Sequence, residues 1–171
     1  NVLKAEIVKE INIQGNQRIS SETIKMFTGV SINDDLSEND LNQILKKLYN
    51  TNFFDNVSVR FLNEILVVVV KENPIIQNIN YEGIKSSKIL EDLKSNSLLK
   101  SRSSFNEILL DKDKKKIKSF LKDKGYYFSE LEISIEELED NKINLSYKIT
   151  LGEKAKIQKI SFIGNKIYKD K

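Results

Sequence analysis

Val8-Lys9-Glu10-Ile11-Asn12-Ile13-Gln14-Gly15-Asn16 returns as Ile76-Gln77-Asn78-Ile79-Asn80-Tyr81-Glu82-Gly83-Ile84, and again as Ile157-Gln158-Lys159-Ile160-Ser161-Phe162-Ile163-Gly164-Asn165. Aligned on the glycines, Ile11 coincides with Ile79 and Ile160, and Ile13 with Tyr81 and Phe162. The phrase is one strand, closed by glycine and used three times. The glycines at 15, 83 and 164 stand 68 and 81 residues apart, so each unit is a small domain and not a solenoid repeat of about 20 to 50 residues. The spacing predicts a tandem array: one unit over residues 1–73, a second over residues 74–151, and an incomplete start of a third over residues 152–171.

Composition agrees with two modest cores. Of 171 residues, 39% are hydrophobic and 31% charged, enough apolar material for two compact units near the small end of the independent range. No apolar stretch reaches the roughly 18 residues of a spanning helix, and no leader with a cleavage site opens the sequence. The fragment is expected to be soluble, with any export signal or anchor elsewhere. There is no Cys, His or Trp in the sequence, so thiolate chemistry and disulfides are excluded. The net charge of +3 is carried almost wholly by lysine, with arginine only at Arg18, Arg60 and Arg102, a poor match to phosphate recognition.

In the first unit Ile7, Ile11 and Ile13 predict a strand with one buried face. Ser20 or Ser21 caps a short helix bearing Ile24 and Phe27, ended by Gly29. Ser37-Glu38-Asn39-Asp40 has capping-box spacing, and Leu41, Ile44, Leu45, Leu48 and Tyr49 fall on one helical face. Val57, Val59 and Phe61 then alternate with Ser58 and Arg60 as a half-wetted strand. Across a tight turn at Asn63 and Glu64, Ile65 to Val70 form an unbroken β-branched run suited to a central strand. Asn73-Pro74 marks the junction.

The second unit repeats this order. Ser86 or Ser87 caps a helix with Ile89, Leu90 and Leu93. Leu110, Ile117, Phe120 and Leu121 mark a longer helix that stops at Gly125. Leu131, Ile133 and Ile135 alternate with Glu132 and Ser134, and Ile143, Leu145, Tyr147 and Ile149 alternate around a turn at Asp140-Asn141. The fold class is α+β, each unit running β-α-α-β-β with two helices packed on a three-stranded mixed sheet.

No catalytic constellation emerges: without His or Cys, the remaining acids are scattered over solvent faces. Catalytic, metal and cofactor-binding residues are therefore expected to be none, and Glu136, Glu137, Glu139 and Asp140 are a solvated strand end and turn. The run from Asp111 to Lys118 is expected to be a solvated helix face, with contact to anionic lipid heads or an acidic partner as the functional alternative. Tyr126, Tyr127 and Phe128 are expected to close the edge of the core. The candidate site is a backbone feature. If the runs around Val68 and Leu145 are central, Val57, Ser58, Val59, Arg60 and Phe61 form one sheet edge, and Leu131, Glu132, Ile133, Ser134 and Ile135 another. Such edges offer unpaired N–H and C=O groups, unless Arg60, Glu132 and Glu136 blunt them.

Tandem β-α-α-β-β units with a glycine closing each first strand resemble the POTRA domains (polypeptide-transport-associated domains) of outer-membrane assembly proteins. Asn52-Phe53-Phe54-Asp55-Asn56-Val57-Ser58-Val59 resembles the entry to that family's second strand. Val70 to Ile79, with Glu72 and Pro74, resembles its inter-domain junction, and Gly125-Tyr126-Tyr127 and Gly152-Glu153 resemble its second unit and the start of a third. The resemblance implies a non-enzymatic, periplasmic part of a protein anchored in the cell outer membrane by a C-terminal barrel. Its implied partners are unfolded outer-membrane β-barrel proteins, captured by strand augmentation at the two edges, and accessory lipoproteins of the assembly complex. The implied alternatives are the POTRA regions of a translocation and assembly module or a two-partner secretion transporter. An RNA-binding KH module shares the element order, but Thr28-Gly29-Val30-Ser31 lacks the second glycine of its phosphate-contacting loop, and no nucleic-acid partner is expected.

Overall fold

The computed structural model describes residues 7–156, which form two units of the same design. The first comprises β1 (Glu10–Gln14), α1 (Ser21–Thr28), α2 (Glu38–Asn50), β2 (Phe54–Leu62) and β3 (Ile65–Glu72). The second comprises β4 (Ile75–Glu82), α3 (Ser87–Asn96), α4 (Glu107–Asp123), β5 (Glu130–Leu138) and β6 (Lys142–Thr150). The two sheets have strand orders β1-β3-β2 and β4-β6-β5. In each, the last strand is central, parallel to the first and antiparallel to its hairpin partner.

The β-branched run earns its central place by burial. Leu66, Val68 and Val70 face the helices and are buried with Ile24, Ile44, Leu48, Phe54 and Val57. Leu145, Tyr147 and Ile149 do the same in the second unit, against Leu93, Ile117 and Leu121. Both hairpins turn through left-handed residues, Asn63 and Glu64 in one and Asp140 and Asn141 in the other. The two-residue Asn63-Glu64 turn matches strand twist and makes Leu62 and Ile65 neighbours. The repeated glycines have a steric cause. Gly15 and Gly83 are left-handed, at φ +81° and +88°, and a β-carbon at either would overlap the carbonyl oxygen of Val70 or Ile149 on the central strand.

Helix starts follow local chemistry. Ser20, Ser37, Ser86 and Asn106 accept from the backbone N–H of Thr23, Asp40, Ile89 and Leu109, and Ser37 with Asp40 completes a capping box. The hydrogen bond from the Ser37 side chain holds the Asp40 carboxyl below its ordinary range.

Four expectations are corrected. The first strand begins at Glu10; Ile7 makes only an isolated bridge to Asp35 and is part-exposed, while Val8 is the buried residue. Tyr49 lies at the rim of the helical face and is 40% exposed. Tyr127 and Phe128 are exposed, and only Tyr126 packs on the core. Asp113, expected on the solvated face of α4, is completely buried. The third copy of the opening phrase lies outside the described residues.

Asp113 sits at i−4 and i−8 from Ile117 and Leu121, on the same stripe of α4. Its carboxylate accepts from Ser97 Oγ at 2.6 Å, the Leu98 N–H at 2.6 Å and the Tyr147 hydroxyl at 2.8 Å. The bonds fasten the α3–α4 connection and β6 to one point. Burial, followed by its bond to Asp113, pushes the Tyr147 phenol far above its ordinary range. In the first unit Glu72 does comparable work elsewhere: Oε1 accepts from the N–H groups of Gln17, Arg18 and Ile19 at 2.9 to 3.0 Å. The Arg18 guanidinium adds a 3.5 Å ion pair.

Candidate docking edges

The two edge segments named from sequence both occupy outer strands. Val57, Ser58, Val59, Arg60 and Phe61 are on β2, which among the described residues pairs with β3 alone; Leu131, Glu132, Ile133, Ser134 and Ile135 are on β5, which among the described residues pairs with β6 alone. The structure keeps the segments in separate sheets.

Which main-chain groups are free follows from register. Leu62 and Ile65 close the two-residue turn and bond to each other, so Arg60 and Ser58 bond to Val67 and Val69. Val57, Val59 and Phe61 therefore direct their N–H and C=O outward. The Val57 N–H illustrates this by donating to the Tyr49 hydroxyl at 3.1 Å. On β5 the same parity holds. Val70 and Ile149 occupy equivalent positions against the two strand-ending glycines, and they pair with Val57 and Leu131 respectively. Leu131, Ile133 and Ile135 are thus the outward-directed residues.

Two of the three charges expected to blunt these edges, Glu132 and Glu136, are engaged within the sheet. Glu132 pairs with Lys148 at 3.3 Å, and Glu136 Oε2 accepts from Asn144 Nδ2 at 2.8 Å, both contacts to the central strand. The β2 edge is guarded more heavily: the register shifts between Phe54 and Asn56, Asp55 pairs with Lys71 at 2.6 Å, and Tyr49 caps Val57. Beside β5, Lys122 follows the buried Leu121 of α4 as Tyr49 follows the buried Leu48 of α2, and lysine has no hydroxyl to cap Leu131.

Sequence reasoning missed that a three-stranded sheet has a second edge. The start of β1 is covered by the α1–α2 loop, where Val8 N–H donates to Asp34 O and Asn33 N–H to Val8 O. The start of β4 is covered by the α3–α4 loop, through Ile76 N–H to Ser103 O and Arg102 N–H to Ile76 O. The signal was the loop length between helices, which exceeds what a simple turn requires.

Among the described residues no group of His, Cys, Asp or Glu is placed to hold a metal ion, and no helix is long and apolar enough to cross a membrane. The exposed lysines of α4, including Lys115 and Lys116, form a solvent-facing row.

The POTRA family profile, described as a surface antigen variable number repeat, matches residues 6–73 and again residues 74–152. The chain is 29% identical over 167 residues to the outer membrane protein assembly factor BamA of Neisseria meningitidis, covering 96% of this chain and 21% of that protein. It is 26% identical over 169 residues to BamA of Neorickettsia risticii, covering 98% of this chain and 22% of the relative. It spans about a fifth of the length of these relatives. Among solved structures, the N-terminal domain of Omp85 from Thermosynechococcus elongatus superposes with a TM-score of 0.55 at 16% identity, over 82% of this chain and 61% of that one. POTRA domains 1–3 of Omp85 from Anabaena give 0.50 at 13% identity, over 82% and 60%. The fold is thus shared with proteins of little sequence similarity. With two successive matches that together cover most of its length, and a glycine-closed first strand in each, the chain belongs to the POTRA family.

Proposed function

We propose that this chain is the periplasmic, non-enzymatic part of an outer-membrane β-barrel assembly factor, its two units acting as separate domains that receive unfolded barrel proteins by strand addition. The observation that carries the reading is the parity of the edges. Val59 and Phe61 on β2, and Leu131, Ile133 and Ile135 on β5, turn main-chain donors and acceptors outward from their sheets, and Glu132 and Glu136 beside the β5 edge are tied back to the central strand. An added strand draws its affinity from the main chain and asks little of client sequence, which suits a receiver of many different barrels. The relatives named as outer membrane protein assembly factors support the same role. Accessory lipoproteins and a membrane-embedded barrel elsewhere in the full protein complete it.

The test is NMR titration with a peptide from a barrel strand. The largest amide shifts are expected along β2 or β5, and Val59→Pro or Ile133→Pro is expected to weaken binding on its own edge. Proline at Ser58 or Ser134 is the control, because those N–H groups face β3 and β6 and their loss damages the sheet itself. Shifts confined to the helices, with both outward-facing proline variants binding as the parent does, would exclude strand addition here.

A further inference from the structure

Toward the end of β5, the face that its first half packs on the core becomes exposed. Leu131 and Ile133 pack on the core, whereas Ile135, on the same face, is 45% exposed. Helix α4 begins at Glu107, and its Ile108 is 67% exposed. The equivalent of Ile135 in the first unit, Phe61, packs on its core. The uncovered apolar surface opens into a groove of about 650 Å³ lined by residues of both units, Tyr49 of the first and Ile108, Ile135 and Leu138 of the second among them. Asn141 Nδ2 donates to the Glu72 carbonyl at 3.1 Å and ties the β5–β6 turn across the junction.

The charges around this groove are unbalanced. Asp55 is paired with Lys71, Lys142 with Asp140, and Glu72 is occupied by the β1–α1 loop. Glu107 and Glu137 have no ion-pair partner among the described residues. Ile135 belongs to both features, its main chain directed to the open edge and its side chain lining the groove.

We propose that the junction groove is a side-chain pocket for an extended segment added to β5, and that it selects an apolar or aromatic residue with Lys or Arg two positions away. The inference rests on the strand-addition reading and adds to it a preference that main-chain pairing cannot supply. Successive side chains of an added strand alternate faces, so those on the helix side of β5 run along Leu131 and Ile133 and then reach the uncovered apolar wall. A basic residue two positions along, and so on the same face, meets Glu107 and Glu137, both exposed at the groove, where an unmatched carboxylate favours a cation.

The test measures fluorescence anisotropy of the whole chain with a labelled alternating Thr/Val peptide of about eleven residues carrying one central Phe with a lysine two residues to either side. Ile108→Ser and Glu137→Lys alter exposed positions and leave the core intact. Each is expected to weaken binding about tenfold, as is Phe→Ser in the peptide. Exchanging the peptide lysines for glutamates is expected to weaken binding to the parent and restore it to Glu137→Lys. Binding within about twofold of the parent in both variants, with loss in Ile133→Pro, would overturn the pocket and leave strand addition standing. Loss in the groove variants with full binding by Ile133→Pro would overturn the seating on β5, and a parent that ignores the peptide would overturn both.

Discussion

The first and second units share one topology and differ in where each buries a carboxylate. Glu72 stands at the end of the first unit's central strand and collects the N–H groups of residues 17–19, the irregular backbone after Gly15. Asp113 stands in the second helix of the second unit and collects Ser97, Leu98 and Tyr147. At the position equivalent to Glu72 the second unit carries Leu151, two residues beyond Ile149 as Glu72 is two beyond Val70. The fold therefore does not prescribe the acid. It prescribes connections whose backbone donors must be satisfied as they enter the helical layer, and each unit satisfies a different connection with one multiply bonded carboxylate. Glu72 binds a loop at the surface, with Arg18 half-exposed beside it, whereas Asp113 is enclosed.

That difference sets the order of expected damage. Asp113→Ala leaves the buried Tyr147 hydroxyl without its acceptor, leaves Ser97 only its bond to the Leu99 carbonyl and releases the part-buried Leu98 N–H, and should destabilise the second unit by about 3 kcal/mol. Hydrogen exchange resolved by residue should then show β6 amides losing protection while β3 keeps its own; equal loss in both strands would mean that the units unfold as one. Gly15→Ala and Gly83→Ala, by contrast, should act alike, each costing about 2–3 kcal/mol in its own unit because each forces a β-carbon against the central-strand carbonyl. A large inequality between them would separate the two junctions that their shared geometry makes equivalent. Glu72→Gln keeps an acceptor in place and should cost about 1–2 kcal/mol, read as a lower midpoint for the first unit in urea.

Alkaline pH offers a subtler separation. The Tyr147 phenol is held above its ordinary value, so the stabilisation it represents is complete below pH about 10 and is lost as pH rises further. Tyr81, stacked on it with ring centroids 5.2 Å apart, is raised as well, chiefly by burial. The second unit should lose stability with rising pH before the first, and Tyr147→Phe should flatten that dependence; identical alkaline profiles for both units would contradict it. The smallest effect belongs to the lysine row. Changing Lys114, Lys115 and Lys116 to Gln should move stability by less than about 0.5 kcal/mol, since the single ion pair there, Lys114 with Asp111, is exposed and long at 4.0 Å. A larger change in a thermal melt would assign those lysines a structural contact.

Much of the architecture was legible because its causes are local. A strand-ending glycine, a capping box at Ser37, alternation in β5 and β6, and two turns of left-handed Asn, Asp and Glu each write their physics into adjacent residues. The central place of Ile65 to Val70 was legible as well from its unbroken β-branched run, although its face away from the helices is only half-buried and the equally central β6 alternates. Asp113 escaped notice inside a run of charges, although its spacing from Ile117 and Leu121 marks the buried stripe. Composition outweighed periodicity there, and periodicity was the better guide.

What only the tertiary structure decided is which polar groups are satisfied and by whom. Edge status follows from strand order. The outward parity of Val59 and Ile133 follows from register, and the engagement of Glu132 and Glu136 from the neighbouring strand. The junction groove exists because Ile108 and Ile135 stay exposed on one unit and because Tyr49 belongs to the other. Residue order determines secondary structure, caps and turns through contacts a few positions apart. Hydrogen-bond partners of the buried carboxylates lie 15 to 55 residues away, as Leu98 to Asp113 and Gln17 to Glu72 do, and are set only when the elements pack.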